Sequence, residues 1–231
     1  MKVLAVDTSG PAVSVAVLDG DRTLAEAALL PGRSRSEHLV GLLDFLLTRL
    51  EMAPSEADLY VAVSGPGSFT GLRVGIGTVR GLALASGRPA VGIPTLQAMA
   101  ASLGNPGGRL APLLDAGRGE VYAGLYSGER GTAPLRLDAV IRPAALASFL
   151  ADGDAAVFGS GADRYPEAIP ATGARLLSCR MTLAAPAARF ALERIGAGSP
   201  VTDWPLTARY VRRSDARLPG GSAPAGGDGS S

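Results

Sequence analysis

The sequence predicts a mixed α/β protein made of two similar halves, and three observations carry that expectation. A short apolar strand (Val3 to Val6), an Asp-led turn at Asp7 and a second strand (Val13 to Leu18) recur as Leu110 to Leu114, Asp115 and Val121 to Tyr126, at the same offset. Each unit is followed by a strand running into Gly-x-Gly: Leu59 to Val63 before Gly65-Pro66-Gly67, and Ala155 to Phe158 before Gly159-Ser160-Gly161. Between the units lie segments with apolar residues at helical spacing.

The elements follow in order. Asp19-Gly20-Asp21 turns the second strand into a third, Thr23 to Leu30. Leucines at 39, 42, 43, 46, 47 and 50 mark one face of a helix capped by Ser34 or Ser36. Ser68 or Thr70 caps the next helix, Gly71 to about Ser86. Ala90 to Ile93 is a strand, and Thr95 to Leu103 a helix. Asn105-Pro-Gly-Gly108 is a strong break, so the halves are expected at residues 1–104 and 109–213. Ala184 to Ile195 is a helix closed by Gly196. Residues 214–231, mostly Gly, Ser, Ala and Pro, form a tail unable to bury a core.

Composition excludes some functions. The 231 residues are 47% hydrophobic, enough for a core, and the net charge of +1 gives no global field for nucleic acid or membrane. The single Cys179 allows no internal disulfide. Asp7 interrupts the N-terminus too early for a signal peptide, and no apolar run spans a membrane. A cytoplasmic protein is the expectation.

The helix from Gly71 to Ser86 is unusual. Each interior glycine costs up to about 1 kcal/mol relative to alanine. Gly71 and Gly75 form one small-residue stripe, and Gly77, Gly81 and Ala85 another. One stripe is expected against the chain's own sheet and one against a second protein. The outward stripe is taken as Gly71, Gly75 and Thr78, acting with Leu42 and Leu46 of the leucine helix.

Nucleotide chemistry has candidate residues too. The turn of Asp7, Thr8 and Ser9, mirrored by Asp115, either caps tight turns or faces phosphates and a magnesium water shell. Gly65 to Gly71 precedes a helix but lacks the Lys-Ser/Thr of a Walker A loop. His38, the single histidine, and Cys179 have no partner for nucleophilic or metal chemistry nearby in sequence. Arg209, Arg212, Arg213 and Arg217 surround Tyr210, a composition suited to phosphate and base or to a solvated end. Arg33 and Arg35 read as an exposed loop.

Four segments together resemble the TsaB (YeaZ) family: Leu4-Ala-Val-Asp-Thr-Ser9; Gly65-Pro-Gly-Ser-Phe-Thr-Gly-Leu-Arg-Val-Gly-Ile-Gly77; Asp115-Ala116 with Glu120-Val-Tyr122; and Tyr210-Val-Arg212. The family usually has Arg at Gly117 and Pro at Ala208. The resemblance implies duplicated halves of the actin, hexokinase and heat-shock ATPase type. It implies a non-catalytic dimerisation and scaffold subunit of the complex that transfers a threonylcarbamoyl group to the adenosine beside the anticodon of tRNAs. The implied partners are a TsaD-like catalytic subunit, a TsaE-like P-loop ATPase and, when the chain is alone, a second copy of itself. tRNA would be met only through the complex. No catalytic residue, metal or cofactor is implied for the isolated chain, though weak ATP or ADP binding within the complex is allowed. Thr95 and Met99 stand where the sister subunit has its two metal-binding histidines. The alternative is an autonomous small-molecule kinase or ATPase of the same superfamily.

Overall fold

The computed structural model describes residues 1–30, 35–104, 106–129, 133–151, 154–177 and 182–211. The first sheet comprises β1 (Lys2–Asp7), β2 (Val13–Asp19), β3 (Arg22–Leu29), β4 (Leu59–Gly65) and β5 (Ala90–Pro94), in the order β3-β2-β1-β4-β5. The second comprises β6 (Arg109–Gly117), β7 (Glu120–Ser127), β8 (Pro134–Ile141), β9 (Ala155–Phe158) and β10 (Arg175–Leu176), in the order β10-β9-β6-β7-β8. Read from the other edge, the second order is the first repeated strand for strand. In each sheet an antiparallel meander joins a parallel pair, β1 with β4 and β6 with β9. The duplicated α/β pattern is therefore present in the topology.

Central strands read as continuous apolar runs because helices cover both faces. Leu4 and Val6 of β1 look one way, and Val3 and Ala5 the other. On one side of the first sheet lie α1 (Arg35–Arg49) and α2 (Phe69–Ser86), enclosing Leu39, Leu46, Leu72 and Val79. The opposite face packs on a middle layer of α3 (Thr95–Ser102) and α6 (Ala184–Gly196), which also meets the second sheet through Leu110, Leu114 and Phe158. Beyond the second sheet, α4 (Leu146–Leu150) and α5 (Ser160–Arg164) cover Leu113, Val121 and Val157. The layers run α/β/α/β/α.

Within the middle layer the helices are exchanged. The first half contributes α3, which packs on β6 and β7, while the second half contributes α6, which packs on β1, β2 and β4. The segment after α6 returns to the first sheet as well. Gly92 N donates to Trp204 O at 3.2 Å, Arg209 N to Ser64 O at 2.8 Å, and an Arg80 guanidinium nitrogen to Leu206 O at 2.7 Å. The two expected halves thus share the core cluster between their sheets, joined through helices that each half lends to the other.

Candidate functional site

The glycine-rich block and the Asp-Thr-Ser turn form one unit. Ser68 N donates to Ser9 O at 2.8 Å, and Thr8 Oγ1 donates to Gly71 O at 2.7 Å. A Cβ at Gly67 would lie 2.4 Å from Ser9 O, one at Gly71 2.1 Å from Thr8 O, and one at Gly75 2.3 Å from Thr8 Oγ1. No side chain fits at any of the three. These glycines exist so that the first turns of α2 can lie directly on the β1–β2 turn. Ser68 caps the helix, its Oγ accepting from Gly71 N at 3.3 Å.

This overturns the expected outward stripe. Gly71 and Gly75 face the chain's own turn, and Leu42 and Leu46 are buried in the core beneath α1. A partner cannot reach any of the four without unpacking the subunit. Thr78 is half-buried and lines a groove of about 620 Å³ between α1 and α2, with Leu43, Leu47 and Leu82. The outward stripe is the other one. A Cβ at Gly41, Gly77 or Gly81 would meet nothing within 4 Å. Around these glycines Val40 is 63%, Phe45 54% and Leu84 83% exposed. The sequence held the needed signal: Gly67 precedes Gly71 and Gly75 at the same spacing, so that stripe runs on into its own turn.

The four nucleotide candidates separate. Asp7 is 1% exposed. Its Oδ1 accepts from Ser9 N at 2.8 Å and from Ser9 Oγ at 2.6 Å, and the carboxylate also accepts from the backbone N–H of Leu183. Burial pushes its pKa from the ordinary 3.8 up to about 6, against the pull of those hydrogen bonds. Ala184 N donates to Ser14 Oγ at 3.2 Å. The turn and β2 therefore receive the first free N–H groups of α6, donors that would otherwise lack partners. Asp7 holds a turn and anchors a helix from another part of the chain, and Thr8 is buried beside it.

Ser9 and Asp115 do reach common space. They face each other across an open cleft of about 480 Å³ between the two sheets, with Gly67 and Ser68 on one wall and Tyr122 and Ser160 on the other. Asp115 is held in its turn: Oδ1 accepts from Gly117 N at 2.9 Å, and Oδ2 lies 3.5 Å from an Arg164 guanidinium nitrogen. Hydroxyls and backbone groups could hold a phosphate here, but among the described residues neither Lys nor Arg lines the cleft.

Thr95 and Met99 are core residues of α3, 1% and 0% exposed. A Cβ at Gly159 would lie 2.4 Å from Met99 Cε, so β9 closes over this position. His38 is exposed on α1. Among the described residues no three His, Cys, Asp or Glu side chains gather in a way that could hold a metal ion. Arg33, Cys179, Arg212, Arg213, Arg217 and the tail lie outside the described residues, as does Ser34. Among the described residues no helix is long and apolar enough to cross a membrane.

Two duplicated mixed sheets with exchanged helices and a cleft between them define a protein of the actin, hexokinase and heat-shock ATPase fold class. The family described as TsaD: tRNA N6-adenosine threonylcarbamoyltransferase matches residues 30–167. The TsaB tRNA threonylcarbamoyladenosine biosynthesis protein of Bacillus subtilis (strain 168) is 34% identical over 131 residues, 57% of either chain. That of Escherichia coli (strain K12) is 33% identical over 150 residues, 61% of this chain and 64% of that one. The similarity thus spans a little under two thirds of these relatives' own lengths. YeaZ from Pseudomonas aeruginosa superposes with a TM-score of 0.77 at 29% identity, covering 90% of this chain and 99% of that one. The chain belongs to the TsaB (YeaZ) family, a relative of the TsaD-type threonylcarbamoyltransferases.

Proposed function

We propose that this chain is the non-catalytic dimerisation and scaffold subunit of a complex that places a threonylcarbamoyl group on the adenosine beside the anticodon of tRNAs. It acts with a TsaD-like catalytic subunit and a TsaE-like P-loop ATPase in the cytoplasm, and pairs with itself when alone. The observation that carries this reading is the outer face of α1 and α2. Val40, Phe45 and Leu84 stand exposed around three glycines with open space above them. Such a surface suits two helices from another subunit, because glycines allow close approach of axes and the apolar side chains fill the margins. The packing of Thr95 and Met99 inside the core supports an accessory role.

The kinase or ATPase alternative depends on the cleft. Its hydroxyls and backbone groups suit weak ATP or ADP binding within the complex, but among the described residues neither Lys nor Arg lines it, and Arg164 nearby is paired with Asp115, which leaves little to counter developing charge on a transferring phosphoryl group. Two measurements decide. Depleting the protein should abolish threonylcarbamoyladenosine in cellular tRNA, read by nucleoside mass spectrometry; unchanged modification sinks the proposal. The purified chain should hydrolyse ATP no faster than background and copurify without stoichiometric zinc or iron. Robust turnover by the chain alone would favour the kinase or ATPase.

A further inference from the structure

Where α2 begins, two aromatic rings stand half in solvent. Phe69 is 51% and Tyr210 50% exposed, with centroids 5.5 Å apart and planes inclined by 41°. One turn along α2, the Arg73 guanidinium lies over the Phe69 ring, 3.7 Å from its centroid. The hydrogen bond of Arg209 N to Ser64 O fixes the segment that carries Tyr210. Phe69 follows Ser68, the helix cap that lines the cleft between the sheets.

Charge along the two segments that carry the rings is one-sided in sequence. Between Asp58 and Asp115 the sequence has no acidic residue but carries Arg73, Arg80, Arg88 and Arg109. Between Asp203 and Asp215 it has Arg209, Arg212 and Arg213 and again no acid. Arg80 is committed to Leu206 O, whereas Arg73 and Arg209 are exposed. Asp138 lies within electrostatic reach of Arg209, but its carboxylate is half-buried and accepts from the Tyr126 hydroxyl at 2.5 Å. An exposed ring pair with a stacked guanidinium, carried on segments rich in arginine and without acids, suits a polyanion that carries flat bases. A protein partner docking through apolar contact would gain little from that arginine excess.

We infer that Phe69, Tyr210 and Arg73 form a direct RNA contact, on which an unpaired base of the substrate tRNA stacks while Arg209 meets its phosphates. This rests on the tRNA-modifying role proposed above and adds to it that the scaffold subunit touches the substrate itself.

The test uses the assembled complex of this chain with its TsaD-like and TsaE-like partners and a fluorescein-labelled, unmodified tRNA transcript. Binding by anisotropy and modification kinetics are measured in parallel, with assembly checked by sedimentation. Tyr210→Ala and Arg73→Gln should each weaken tRNA binding and raise KM for tRNA roughly tenfold at unchanged kcat, with assembly intact. Tyr210→Trp should restore binding, and Arg209→Gln, which removes the phosphate contact, should lower the salt dependence by about one counterion. Wild-type affinity in both variants overturns the contact while leaving the proposed function standing. Lost assembly with normal affinity in what remains overturns it in favour of a protein interface. A wild-type complex that binds tRNA through Tyr210 yet modifies none supports the contact and refutes the function. A wild-type complex that binds no tRNA refutes both.

Discussion

At the scale of single residues, Asp7 combines a buried charge with a structural task. Its carboxylate holds Ser9 and the start of α6, yet burial lifts its pKa from 3.8 to about 6. The folded state therefore binds the proton more tightly than the unfolded chain. The stability this group contributes is complete below about pH 3.8, and it is lost as pH rises through 6. A shift of this size corresponds to on the order of 3 kcal/mol. Asp7→Asn keeps an oxygen to accept from Ser9 N and removes the titration. Urea unfolding of both proteins from pH 4 to 7 should show the variant gaining on the wild type as pH rises, by up to about that amount. Parallel curves would show that Asp7 does not titrate in this range. The sequence marked Asp7 and Asp115 as a matched pair, and the topology repeats them. It could not reveal that one is sealed against a distant helix while the other faces a cleft, because Leu183 meets Asp7 only after α6 has been exchanged between the halves.

At the scale of elements, α2 shows what a glycine pattern can and cannot say. Its existence, its Ser68 cap and its two small-residue stripes were legible, because spacing and capping chemistry are local. Which stripe faced inward depended on the β1–β2 turn, far off in sequence, and only Gly67, continuing the spacing of Gly71 and Gly75, pointed to it. Other elements were missed for local reasons. Helices α4 and α5 have five residues each, too short for a period to register. Strand β8 is a sheet edge whose Leu135 and Leu137 face solvent, so no alternating buried face announces it. The two stripes make opposite predictions. Gly71→Ala would put a methyl group 2.1 Å from the Thr8 carbonyl oxygen, a backbone atom that cannot swing aside. Overpacking of this kind costs about 1–3 kcal/mol and should lower the melting temperature by several degrees. Gly81→Ala enters open space and gains helix propensity of up to about 1 kcal/mol, raising the midpoint by about 2–4 °C. Calorimetry showing equal effects from both changes would refute this assignment of the faces.

At the scale of the whole molecule, the five layers determine which surfaces remain for partners. The middle layer is enclosed by both sheets, and α4 and α5 are short, so α1 and α2 present the long helical face of the subunit. If one face serves both a second copy of the chain and a TsaD-like subunit, the two assemblies exclude each other, and adding the partner should dissolve the homodimer. Leu84 is the best probe because it is 83% exposed. Leu84→Asp should leave the monomer's melting temperature nearly unchanged, since exposed substitutions away from special features shift stability by about 0.5 kcal/mol or less. Within an apolar helix–helix contact the same carboxylate would be desolvated, a penalty of several kcal/mol and therefore at least a tenfold loss of affinity. Sedimentation of the variant, alone and with the TsaD-like subunit, beside circular dichroism, separates these effects. The expected result is a folded monomer that fails to self-associate and binds the partner at least tenfold more weakly. A variant that forms both assemblies at wild-type affinity would show that this face is not the interface. Loss of only one assembly would show that the two partners use different surfaces and do not compete.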